Sequence, residues 1–122
     1  VSNNIVPSSV LPAGENLLTV PDYAERIGQP VTRVFDQIGE HKLICVLDNG
    51  IKKIPEAFLS EKGTTNKFVP GVIALLSDGG YTDQEIFKFL FTEDESLPGR
   101  PIDAIHGHLA REVMRRAQAM GF

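Results

Sequence analysis

Thr32, Arg33, Asp36 and Gln37 fall within a six-residue span, and the chemistry open to that set is hydrogen bonding to the edges of nucleic-acid bases. An arginine guanidinium can donate to O6 and N7 of guanine, a glutamine amide can pair with adenine, and a threonine can bond a phosphate or touch a thymine methyl. Asp36 repels phosphate unless it accepts from a cytosine or holds Arg33 in place. Lys42, Lys52 and Lys53 add ammonium groups of the kind that meet phosphate. Asn49 and Gly50 could let backbone approach a minor groove, although turn formation already accounts for them. Tyr23 is either core or a phosphate hydrogen-bond donor.

Other chemistries find less support. His106-Gly107-His108 with Asp103 suggests a metal, but helical residues two apart point in different directions, so no metal site is expected. Cys45 is the only cysteine, which excludes an intramolecular disulfide and any cysteine-based zinc site. No nucleophile and base pair, phosphate-cradling glycine loop or dinucleotide fingerprint occurs. The acidic residues Glu93 to Glu95 read as a solvated loop. The expectation is a protein that is not an enzyme and needs no cofactor.

The elements that must position the base-reading set are two short helices hinged at Gly28. Thr19 is a helix N-cap with Asp22 three residues on, Ala24 is small enough for a second helix to approach, and Gly28 can take the positive φ of the turn. The second helix should run from Val31 to Ile38, with Val34 and Ile38 inward and Thr32, Arg33, Asp36 and Gln37 outward. The apolar run Leu43 to Leu47, the turn signal Asp48-Asn49-Gly50 and the return Ile51 to Pro55 predict a two-stranded wing. Strand alternation sends Lys52 and Lys53 to opposite faces, so at most one points straight at a duplex.

Helix, turn, helix and wing in that order resemble the winged helices of the MerR and excisionase type. The resemblance rests on Thr19-Val20-Pro21, Ala24-Glu25-Arg26-Ile27-Gly28, Val34, His41-Lys42-Leu43, Lys53-Ile54-Pro55 and Leu59. Nearly the whole chain also resembles a small actinobacterial DNA-binding protein family known from mycobacteria as a substrate of a membrane Ser/Thr kinase. Its later marks are Pro70-Gly71, Asp78-Gly79-Gly80-Tyr81, Arg100-Pro101-Ile102-Asp103-Ala104 and Arg115-Arg116-Ala117-Gln118-Ala119-Met120. That resemblance implies binding to double-stranded DNA and a Ser/Thr kinase as a partner. The mycobacterial relatives carry the modified threonine in a comparable tail, whereas this tail offers Ser2, Ser8 and Ser9, with Ser8 and Ser9 as the candidate sites. The rival function is an antitoxin-like protein-interaction module, because Arg100-Pro101-Ile102-Asp103 before an amphipathic helix resembles the toxin-binding region of antitoxins of the Xre, MbcA and ParS group.

Charge limits how such binding can work. The chain has 12 Lys and Arg against 16 Asp and Glu, a net of -4, so bulk charge does not hold it on DNA. From Arg26 to Lys67 there are seven basic and five acidic residues, and from Val69 onward five basic and eight acidic. Contact with phosphate therefore has to come from a local patch, and the acidic half should face away. No apolar run reaches transmembrane length, no signal pattern opens the chain, and the first residue, Val1, is compatible with removal of residues upstream. A cytoplasmic protein that does not engage a membrane is expected.

The remaining sequence predicts the other elements. Residues 1–16 lack periodicity and predict a flexible tail, and residues 17–68 form the winged helix-turn-helix. Residues 69–122 form a helical region packed on it as one compact unit. Within that region Val69, Val72, Ile73 and Leu76 predict a helix ended by Gly79-Gly80. Thr82 to Glu85 is a capping box opening another helix, and a final helix runs from Pro101 with Ile102, Ile105, Leu109, Val113, Ala117 and Met120 inward. No heptad run offers a dimer helix, so the expected state is a monomer. The fold class is mainly α with a small β-hairpin wing.

Overall fold

The computed structural model describes residues 6–97 and 99–120. In chain order these form β1 (Leu17–Thr19), α1 (Val20–Ile27), α2 (Val31–Gly39), β2 (Val46–Asp48), β3 (Ile51–Pro55), α3 (Val69–Asp78), α4 (Asp83–Phe91), α5 (Pro101–Ala104) and α6 (Ala110–Met120). α1 starts where the Thr19 hydroxyl accepts the Asp22 N–H at 3.2 Å, and Pro21 sits in the first turn, where its missing N–H costs no helical bond. It stops at Gly28, left-handed at φ 67°, whose N–H caps the carbonyls of Ala24 and Glu25. That reversal brings α2 across α1 with Ala24 and Val34 both buried between them.

The wing contains one strand more than the sequence predicted. β2 and β3 pair antiparallel through Val46 with Lys53, Leu47 with Lys52 and Asp48 with Ile51. The turn residues Asn49 and Gly50 both have positive φ, 53° and 78°, as the right-handed twist of a tight hairpin requires. β1 joins on the other side of β3, giving the order β1-β3-β2. Three residues of strand have no readable period, so only the exposed edge of β3 calls β1 into the sheet. The strand expected from Leu43 starts only at Val46. Leu43, Ile44 and Cys45 are buried connecting chain, and their apolar character reflects burial rather than pairing.

The flexible tail is corrected for residues 6–16. Val6 and Leu11 are buried, the Val6 carbonyl accepts the Leu47 N–H at 2.7 Å, and Ser8–Val10 forms a 3-10 turn. Two apolar anchors five residues apart give no periodic signal, yet they cover the otherwise open edge of β2. The part of the expected tail at residues 1–5, with Ser2, lies outside the described residues, as does Pro98.

The helical half follows the capping signals closely. Thr82 and Glu85 exchange both bonds of a capping box at the start of α4, and α3 ends at Gly79-Gly80. The single final helix is corrected to two, α5 and α6, joined by a turn over 105–109. The buried Asn66 side chain donates to the Ile105 carbonyl at 3.2 Å and so takes an acceptor that a continuous helix would use, next to Gly107, a weak helix former. Phe58, just after the wing, stacks on Phe87 at 6.2 Å between centroids and tilts against Phe91 at 6.1 Å. Both partners belong to α4, so the two halves share one core.

Candidate nucleic-acid interface

The residues read as base-reading divide once α2 is folded. Thr32, Arg33 and Asp36 are exposed along its outer side. Gln37 is not: its Oε1 is buried and has no hydrogen-bond partner among the described residues. The expected outward Gln37 is thus corrected, because α2 leans on the following turn, where the Gln37 carbonyl accepts from the N–H of Lys42 and of Leu43. Pairing with adenine would require this amide to rotate out. Val31 and Phe35, for which no role was expected, also stand exposed beside the outer residues. Their signal was present in the helical spacing: with Val34 and Ile38 inward, an aromatic at 35 falls off the apolar stripe.

The lysines divide in the same way. Lys52 is exposed and places Nζ 5.7 Å from the Phe35 ring centroid, which ties the wing to α2. Lys53 is on the opposite face, as alternation requires, and its Nζ lies 2.8 Å from Asp48 Oδ2. That bond holds the Asp48 carboxyl below its usual range, and it pairs Lys53 within the wing. Lys42 is 3.6 Å from Glu40 with both side chains about half exposed, a loose surface pair of little energetic weight. Among the described residues Arg33 and Lys52 have no acidic partner. Asn49 and Gly50 are exposed at the tip of the wing.

Two residues with alternative roles turn out to be structural. Tyr23 is fully buried, with its hydroxyl 2.6 Å from that of Thr65, and burial pushes it up to about 12 against the smaller opposing effect of that bond. It is core, not a phosphate donor. His106 uses Nε2 at 2.6 Å from the Ala57 carbonyl and Nδ1 at 3.1 Å from Asn66 Nδ2, so both ring nitrogens link the 60–67 loop and the wing exit to the turn that follows α5.

Family profiles divide the chain at that same loop. One described as DNA-binding protein Rv2175c, wHTH domain, matches residues 6–59, and one described as Rv2175c C-terminal domain of unknown function matches residues 67–121. A protein of Mycobacterium tuberculosis named DNA-binding protein Rv2175c is 40% identical over 131 residues, covering 92% of this chain and 90% of its own. A solved structure, the NMR structure of Rv2175c, is similar at a TM-score of 0.85 and 39% identity, covering 100% of this chain and 94% of that one.

Proposed function

This chain belongs to the Rv2175c family, and from that premise we propose that it binds duplex DNA through one side of the α2 and wing unit, as a regulator of transcription. The observation that carries the choice of surface is the pair Arg33 and Lys52. On a protein of net charge -4 they are cations without an acidic partner among the described residues, one on the recognition helix and one on the adjoining strand. Arg33 is the base-reading group, Thr32 and Asp36 flank it, and Lys52 and Lys42 meet phosphate. Asn49 and Gly50 carry the wing tip toward the minor groove. The molecule acts as a monomer on one site. Residues 6–68 form the reading unit and residues 69–120 complete its core.

The family is one of DNA-binding proteins, and binding alone is the activity inferred. No helix among the described residues is long and apolar enough to cross a membrane. A kinase would find Ser9 exposed, whereas the Ser8 hydroxyl faces Asp48 at 3.5 Å. A phosphate on Ser8 would therefore meet a carboxylate and loosen residues 6–16 from the wing.

The deciding experiment is a salt-titrated binding assay of the full chain on a pool of random duplexes. Retention that falls steeply with salt, and enrichment of particular sequences, is the expected result. No retained duplex at low salt, together with capture of a protein partner through α6, would replace this reading with the antitoxin-like one.

A further inference from the structure

We propose that Val31 and Phe35 read thymine 5-methyl groups in the major groove, so that the protein selects thymine-bearing sites by apolar contact as well as by the Arg33 guanidinium. The inference rests on the DNA-binding reading above and names the base it prefers. Phe35 is 44% exposed and Val31 36% exposed. The chain buries or half-buries every other phenylalanine among the described residues, so an exposed one on the recognition helix is not a failure to find a core. Val31 and Phe35 are one turn apart and share a face of α2, forming a short apolar edge beside Thr32 and Asp36.

The size and surroundings of this edge favour a base over a protein as its occupant. A whole aromatic side chain buries about 150–250 Å². Even with Ile51, 52% exposed on the wing, the exposed large apolar side chains fall far short of the ~800 Å² per partner that a stable protein interface needs. They are large enough for a methyl group. Lys52 Nζ, 5.7 Å from the Phe35 ring centroid, points the same way. Sealing that ammonium into a dry protein contact carries a desolvation penalty, whereas a phosphate beside the groove neutralises it. The 5-methyl is the apolar mark of the major groove and belongs to thymine alone.

The test uses duplexes retained from the random pool, resynthesised with deoxyuridine in place of thymine, which removes only the methyl. Wild-type protein should bind the deoxyuridine duplex more weakly, by about fourfold for each methyl contacted, the worth of one buried methylene. Phe35→Ala should narrow the difference between the two duplexes by its own share, Phe35→Ala combined with Val31→Ala should bind both alike, and Phe35→Leu should restore part of what Phe35→Ala loses. Thermal melting of each variant checks that the fold is intact. Equal wild-type binding to thymine and deoxyuridine duplexes, with the salt dependence preserved, overturns the methyl readout and leaves DNA binding standing. Absence of any duplex binding overturns both. Concentration-dependent dimers that vanish in Phe35→Ala would assign the edge to a second copy instead.

Discussion

Arg33 and Lys52 are both cations, but their positions predict different losses. Arg33→Ala should reduce duplex affinity by roughly 1–3 kcal/mol and relax base preference, as loss of a bidentate base contact does. Lys52→Ala should weaken all sequences alike and reduce the slope of affinity against salt by about one counterion. Lys53→Ala should do less than Lys52→Ala, because Asp48 already holds its ammonium. A salt titration of the three variants separates these outcomes, and a larger slope change for Lys53 would reverse the assignment. Tyr23 predicts an effect on stability instead. Its phenol is raised from 10.0 to about 12 by burial, so the stability of the neutral form is complete below pH 10 and is lost as pH rises toward 12. Tyr23→Phe should flatten that alkaline loss in denaturant titrations while costing roughly 1 kcal/mol at neutral pH for the Thr65 bond.

At the scale of elements, the start of α4 and the end of α1 rest on single residues. Thr82→Ala removes the acceptor of the Glu85 N–H and should cost about 1 kcal/mol, seen as a lower melting temperature with faster amide exchange in the first turn of α4. Gly28→Ala meets no atom within 4 Å, so space is not the obstacle there. Its cost should be the ~1–2 kcal/mol of forcing a side chain into left-handed backbone, and DNA affinity should fall with the angle between α1 and α2. Both sites were legible in the sequence because caps and left-handed turns use a narrow choice of residues. The break between α5 and α6 was not, since the group that takes the Ile105 carbonyl is Asn66, 39 residues away.

For the whole molecule, the aromatic cluster joins what the family profiles divide. Phe58→Ala should cost about 3–5 kcal/mol and lower one cooperative transition, with wing and helical half melting together by fluorescence and circular dichroism. Two separate transitions would show independent units. Acid should act in part through α6. Glu112 lies 2.6 Å from Arg115 and 2.9 Å from Arg116, which hold its carboxyl near 2 against an ordinary 4.5. The stabilising effect is present above pH 4.5 and lost as pH falls toward 2. Glu112→Gln should give a shallower acid limb in a stability profile across that window.

The sequence by itself determined the hinge at Gly28, the caps at Thr19 and Thr82, the Asn49-Gly50 turn and the outward run of Thr32, Arg33 and Asp36. All of these are local: each depends on residues within a turn or two, whose types restrict φ or repeat at helical spacing. Tertiary structure alone decided that residues 6–16 cover β2, that β1 joins β3, and that Lys53 is held by Asp48 while Lys52 reaches Phe35. It also turned Gln37 inward and left Val31 and Phe35 in solvent. Those outcomes depend on which surfaces meet and which charges come within a few ångströms, and a residue's type and spacing do not carry that information until the chain has folded.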